Sequence, residues 1–250
     1  MLFLLSPSKT LAEMPLPLAG APAQPVLSAE SQVLVHELRK LDADALGKLM
    51  GISEKLAQLN HRRYQDCTWP FTPENAAQAV RFFRGDVYEG LDAESFSLAD
   101  MQAAQERIRI LSGLYGVLKP LDLMQPYRLE MGTKLQNPRG KNLYDFWAGR
   151  ITETLNAEHP DVVVNLASAE YFQAIQPERL AGKILHCTFK EQKAGKLQVI
   201  GLFAKKARGM MARYGVLNRV KNVQELQNFT EGGYRFRPEL SGNSAYVFVR

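Results

Sequence analysis

The sequence predicts a mixed α/β (α+β) protein, and three observations carry that prediction. Runs of five to seven residues rich in Val, Ile, Leu and Phe recur along the 250 residues, as strands require. Between them lie segments whose apolar residues repeat every three or four positions, as amphipathic helices require. One pair of strand-like runs is joined by "KEQKAGK", with Ala194-Gly195 at its tip, which suits a hairpin and makes part of the sheet antiparallel.

Strands are expected at Met1–Leu5, Asp161–Leu166, Lys183–Phe189, Leu197–Phe203 and Tyr246–Val249, with "YRLEM", Tyr127 to Met131, as a sixth. Helices are expected at Ser31–Lys40, Asp42–Met50, Glu54–Tyr64, Glu74–Phe83, Leu98–Ile110, Leu143–Ala157, Ala169–Ile175 and Lys205–Leu217. "MPLPLAGAPAQPVLS" carries four prolines in fifteen residues and should cross the surface without regular structure. No internal repeat and no polar linker interrupts the chain, so residues 1–250 read as a single domain with helices surrounding one sheet.

Hydrophobic residues make up 46% of the chain, enough for a buried core, so disorder is not the expected reading. The formal charge of +5, from 31 basic and 26 acidic residues, favours contact with a polyanion without by itself specifying one. The two cysteines, Cys67 and Cys187, form no Cys-x-x-Cys, and none of His36, His61, His159 and His186 stands in a Glu-x-x-His arrangement. No metal site and no cofactor is therefore expected, and a reducing cytoplasm fits the cysteine usage. "MLFLL" lacks a basic leader and runs straight into "SPSKT", so it reads as neither a secretion signal nor a membrane span.

Three apolar runs end abruptly in polar residues: "LFLL" gives "SPSKT", "VVVNL" gives "ASAEYF", and "VIGLF" gives "AKKARG". Open α/β sheets gather loops and helix N-termini at the carboxyl ends of their strands. If these strands run side by side, Ser6, Ser8, Lys9, Asn165, Ser168, Glu170, Lys205 and Lys206 share one cleft. Taken singly, Ser168 could be a helix cap, Glu170 a first-turn acid and the lysines solvated. Lys9 directly follows a buried strand and should itself be partly buried. "LSGLYGVLKPLDLMQPYRLEMG" adds Tyr115 between two glycines, and a period of two puts Arg128 and Glu130 on one face, to hold a ligand or to pair with each other. From Lys205 to Lys221 there are six basic residues and no acidic one; Lys205 and Arg208 fall to one side.

"KLMGISEKLAQLN" reads as two helices meeting at Gly51-Ile52-Ser53. A helix-hairpin-helix element holds a nucleic-acid phosphate on the amides that open its second helix, through the pattern Leu-Pro-Gly-apolar-Gly-x-x-x-Ala. Leu49, Gly51, Ile52 and Ala57 match it, Met50 and Ser53 depart from it, and Glu54 places an acid where a phosphate would sit. Lys48, Lys55, Arg62 and Arg63 supply nearby positive charge. A plain helix corner is the competing reading.

The combination of "SPSKTL", "GDVYEGL", "LSGLYGVLKPLDLMQPYRLEMG", "NLASAEYF" and "KKARGMM" resembles the YaaA family of bacterial peroxide-stress proteins. The resemblance implies a mixed α/β domain in a cytosolic protein of the peroxide response that keeps unincorporated iron low, and a DNA-binding surface with a helix-hairpin-helix-like element at about residues 42–64. It brings no established catalytic activity. On matching positions it marks Lys9, Arg128, Glu130, Asn165, Ser168, Glu170, Lys205, Lys206 and Arg208 as a polar, basic cleft.

Three functions then compete. The first is a stress protein that binds duplex or structured DNA largely independently of sequence, through the cleft and Gly51, Ile52, Ser53, Lys55, Arg62 and Arg63. The second is an enzyme acting on nucleic acid or a nucleotide, with Lys9 as nucleophile and Glu130 or Glu170 as acid and base. The third is a scaffold that docks an acidic partner.

Overall fold

The structure, a computed structural model, describes residues 1–13, 20–193 and 195–250. In chain order it comprises β1 (Leu2–Leu5), α1 (Ser28–Arg39), α2 (Ala43–Met50), α3 (Glu54–Asp66), β2 (Ala77–Gln78), α4 (Ala79–Phe82), α5 (Asp86–Leu91) and α6 (Leu98–Arg107). Then follow β3 (Ile108–Ser112), β4 (Gly116–Leu118), β5 (Leu123–Met124), α7 (Leu143–Trp147), α8 (Arg150–Asn156), β6 (Val162–Asn165) and α9 (Ala169–Phe172). The last part holds β7 (Lys183–Lys193), β8 (Lys196–Gln198), α10 (Gly201–Leu217), β9 (Arg235–Phe236) and β10 (Ala245–Val249).

The fold is mixed α/β. One sheet has the order β4-β3-β1-β6-β7-β10-β9, with β8 paired to β7, and β2 and β5 form a separate antiparallel pair. β3, β1, β6, β7 and β10 are mutually parallel, while β4, β8 and β9 run antiparallel to their partners. All four residues of β1 are buried, as a central parallel strand covered on both faces demands. The chain leaving β1 returns on one side, as β3, whereas the chain leaving β6 continues on the other, as β7. The carboxyl ends of β1 and β6 therefore flank a topological switch point, where open α/β sheets form a crevice.

Several expected elements differ. Leu197–Phe203 is not one strand: β8 ends at Gln198 and α10 begins at Gly201, leaving Val199, Leu202 and Phe203 exposed. The burial that decides the matter follows a helical period through Ala204, Ala207, Met211 and Ala212. "YRLEM" alternates as expected, with Tyr127, Leu129 and Met131 buried, but it is extended chain without a strand partner. The helix predicted to end at Ile110 stops at Arg107, and "IRILS" becomes the fully buried strand β3, second from the sheet edge. Its Arg109 hid that strand, and the arginine is buried there by an ion pair with Glu158.

Glu74–Phe83 resolves into β2 and the one-turn α4. The expected helix at Leu143–Ala157 is divided at Ala148, where φ is 41°. The helix expected at Ala169–Ile175 is confined to α9. The predicted hairpin is the β7–β8 pair, Lys193 opposite Lys196; Ala194 lies outside the described residues, as do residues 14–19 of the proline-rich stretch. No helix among the described residues is long and apolar enough to cross a membrane.

Candidate functional site: a cationic cleft at the switch point

Ser6, Pro7, Ser8, Lys9 and Thr10 leave β1, and Ser168 and Glu170 follow β6, on neighbouring parallel strands. Their loops are tied across the switch point, where the Ser168 amide donates to Ser6 Oγ at 2.8 Å and Tyr88 Oη donates to the Ser6 carbonyl at 3.0 Å. The Ser168 side chain makes no cap bond to its own helix; its hydroxyl instead accepts from Ser6 Oγ at 3.3 Å. The segment Tyr127–Glu130 closes another side of a cleft of about 580 Å³. It can approach because a Cβ on Gly113 would lie 2.2 Å from the Leu129 carbonyl oxygen, so only glycine fits there.

α5 and α10 supply the remaining wall. They cross with their backbones almost in contact: a Cβ on Gly90 would be 2.1 Å from the Lys206 carbonyl oxygen, and one on Gly209 would be 1.8 Å from that of Val87. This glycine pair fixes Lys205 and Arg208 of α10 against Asp86 and Tyr88 of α5, all lining the cleft. The charged lining comprises five cations, Lys9, Arg84, Arg128, Lys205 and Arg208, and three carboxylates, Asp86, Glu130 and Glu170. A local positive excess in a partly desolvated concavity attracts anions more strongly than the same charges spread over a surface.

Lys9 Nζ lies 2.6 Å from Glu130 Oε2, and Arg128 Nη2 lies 3.0 Å from Glu130 Oε1. Arg128 and Glu130 therefore do pair, with Lys9 as a third member. Contrary to expectation, Lys9 is 63% exposed, because its loop lies at the rim of the crevice. Glu170 Oε1 accepts from the Gly132 amide at 3.0 Å, which positions one oxygen and leaves the other for the cleft.

Arg208 is half-buried, and burial pulls the pKa of its guanidinium below the usual value. It has no hydrogen bond or ion pair among the described residues. The buried Nε of Arg128 is likewise without a partner. A buried donor left unused, as Arg128 Nε is, costs the free protein free energy that an anionic ligand offsets, and the partly desolvated Arg208 guanidinium stands open to the same ligand.

Not every predicted residue reaches this cleft. Tyr115 is 1% exposed and sits one layer behind, with its Oη bonded to the Gln125 backbone and its ring edge-on to Tyr127. Asn165 does not line the cleft; it is held by the Ala167 amide and His186 Nδ1. Lys206 lies about 100° around the helix from Lys205 and faces Glu89 at 3.8 Å. Thr10, Arg84, Asp86, Tyr88, Tyr127 and Tyr171 line the cleft without having been singled out. The helix-start pattern of "RGDVYEGL" was the available signal for three of them.

The corner between α2 and α3 is separate. Gly51 takes the left-handed conformation (φ 62°), Ile52 donates its amide to the Gly47 carbonyl at 3.1 Å, and Ser53 precedes α3 without a side-chain cap bond. Gly51, Ser53, Lys55 and Arg62 are exposed; Arg63 is half-buried against Asn60 and its pKa is lowered by desolvation. Tyr64 of α3 donates to the Arg128 carbonyl, so the far end of this helix abuts the cleft wall. At 1.5 Å per residue, the corner lies about 16 Å along the helix from that contact.

Residues 1–240 match the protein family described as "Peroxide stress protein YaaA". A UPF0246 protein of Acaryochloris marina (strain MBIC 11017) is 52% identical over 254 residues, covering 100% of both chains. A UPF0246 protein of Cellvibrio japonicus (strain Ueda107) is 49% identical over 254 residues, covering 100% of this chain and 98% of the relative. A match of this extent fixes the kinship: the chain belongs to the YaaA family of peroxide stress proteins.

Proposed function

We propose that the protein acts in the peroxide stress response by binding DNA through the cationic cleft, largely independently of sequence. The observation that carries this reading is Arg208, a half-buried guanidinium in a cleft of net positive charge with no hydrogen bond or ion pair among the described residues. Guanidiniums suit phosphate through parallel charge-assisted hydrogen bonds. The amides that open α3 are proposed as a second phosphate contact, with Lys55 and Arg62 beside them. DNA covered in this way is shielded from radicals that unincorporated iron makes from peroxide. Keeping such iron low is proposed as an indirect effect, because the cleft's amines and guanidiniums repel a metal cation and its Glu130 is already held by Lys9 and Arg128.

The test is a salt titration of duplex binding. Each phosphate neutralised adds nearly one unit to the slope of log affinity against log salt, so a steep, sequence-independent dependence is expected. Replacing Lys205 and Lys206 together by Glu should weaken binding of all sequences alike. An affinity indifferent to salt, or unchanged in that variant, removes the cleft from the interface.

An enzyme acting on nucleic acid is the second reading. It is favoured by one contact, the 2.6 Å ion pair of Lys9 with Glu130, which sets an amine and a carboxylate side by side at the cleft rim.

A further inference from the structure

Two side chains in the cleft are oppositely charged, half-buried and alone. Arg208 and Asp86 both line it, yet neither has a hydrogen bond or ion pair among the described residues, with each other or with any neighbour. Opposite charges that can relax towards each other normally do so in a partly desolvated site, where the attraction is larger than in water. The α5–α10 glycine crossing fixes both backbones, and the two side chains stay unpaired across the cleft. A surface meant only for phosphates has no use for a free carboxylate, which would repel them.

The dimensions narrow the ligand further. A sphere of about 580 Å³ is about 10 Å across, smaller than the roughly 12 Å width of a single DNA major groove. A duplex can lie over the mouth of this cleft but cannot enter it. The volume is instead that of a small-molecule site, typically about 300–1,000 Å³.

We propose that the cleft is a pocket for one nucleotide unit, with Arg208 and Lys205 on its phosphate and Asp86 accepting hydrogen bonds from the amino or ring N–H groups of its base. This rests on the polyanion reading of the same cleft and deepens it. The phosphate explains the unpaired guanidinium, the base explains the unpaired carboxylate, and Tyr127 and Tyr171 add largely buried aromatic lining. Such a unit has two sources, a free nucleotide or a nucleotide turned out of a strand. Extrusion from a duplex costs a few kcal/mol, least at a mismatched or damaged position.

Calorimetric titration of the purified protein with the four deoxynucleoside 5′-monophosphates, the matching nucleosides and inorganic phosphate tests the proposal. At least one monophosphate should saturate the protein at one equivalent, about tenfold or more tighter than either its nucleoside or phosphate alone. Arg208→Ala should weaken every monophosphate about tenfold or more. Asp86→Asn, nearly isosteric, should change the order of preference among the four bases while leaving the phosphate requirement intact. Thermal melting confirms that each variant is folded.

The pocket is overturned if no monophosphate saturates at millimolar concentration, if inorganic phosphate binds as tightly as the nucleotides, or if Asp86→Asn leaves base preference unchanged. A duplex with 2-aminopurine at a mismatched position separates the two sources. A fluorescence rise on binding marks a nucleotide taken from the strand, and its absence with intact monophosphate binding marks a free one. Monophosphate binding without any duplex affinity would refute the DNA reading while leaving the pocket standing.

Discussion

Replacing Asp122 by Asn should stabilise the protein at neutral pH and hardly at all in acid. The carboxyl is 3% exposed and accepts from the Lys119 amide at 2.8 Å. Burial pushes its pKa from 3.8 up to about 6 and Glu158 acts in the same direction; the Lys119 amide bond and the charges of Lys119 and Arg109 only partly oppose them. The folded protein thus holds this proton to about pH 6, whereas the unfolded chain releases it near 3.8. Stability is therefore highest below the unfolded value and is lost as pH rises between the two. At about 1.36 kcal/mol per pKa step, the gap of roughly two steps amounts to about 3 kcal/mol at pH 7.5. Asn keeps an oxygen for the Lys119 amide and carries no charge, so Asp122→Asn should gain up to about that much at pH 7.5 and only about 1 kcal/mol at pH 4.5. Urea unfolding at both pH values, followed by tryptophan fluorescence, measures the difference. A wild type as stable as the variant at pH 7.5 would mean that Lys119 or Arg109 neutralises the carboxylate in the fold, and the argument from desolvation would fail.

Gly209→Ala puts a methyl group 1.8 Å from the Val87 carbonyl oxygen, so it should cost about 3 kcal/mol or more in thermal or urea unfolding and loosen the cleft wall; an unaffected midpoint would disprove the α5–α10 lock. Cys67 and Cys187 are buried, and desolvation pushes their pKa values up to about 11 and about 12, so both should stay reduced in folded protein exposed to peroxide. Mass spectrometry finding a sulfenic or sulfinic acid at either position would contradict this. Lys9→Arg keeps the positive charge beside Glu130 but removes the amine. If the variant, with unchanged melting temperature, restores peroxide resistance to cells lacking the protein, a nucleophilic Lys9 is ruled out; if it fails as Lys9→Ala does while DNA affinity is kept, the enzyme reading prevails.

The sequence was readable where one residue's environment is set by its immediate neighbours. "LFLL" is apolar without interruption and became the fully buried β1, and the polar residues directly after β1 and β6 line the crevice because parallel strands expose their carboxyl ends together. It was misleading where a distant partner decides. Arg109 made "IRILS" look unlike a buried strand, and its charge is balanced there by Glu158, forty-nine residues on, while the carbonyls of Gln105, Glu106 and Ile108 take its remaining donors. Adjacent residues also part company at the site: Lys205 enters the cleft and Lys206 does not, a rotation on a helix that the expected strand-to-helix boundary misplaced. Asp86 and Arg208 carry no individual signal at all, since nothing in a chain of letters shows that two opposite charges will share a cleft and fail to pair.

Desolvation has opposite consequences for the two kinds of group it perturbs here, and that contrast bears on where peroxide chemistry meets this protein. A thiol can answer burial by keeping its proton. At neutral pH, pKa values of about 11 and about 12 leave Cys67 and Cys187 with almost no thiolate, the form that peroxide attacks. A guanidinium has no such escape, because even a lowered arginine pKa stays far above neutral and the charge remains. The cost of burying Arg208 is therefore carried by the free protein and is relieved when an anion arrives, so the same burial that silences the sulfurs sharpens the cleft. Under the proposed function, the protein responds to peroxide through what it binds. Replacing both cysteines by Ser should then leave anion binding intact, whereas Arg208→Ala should weaken it about tenfold or more with both thiols untouched.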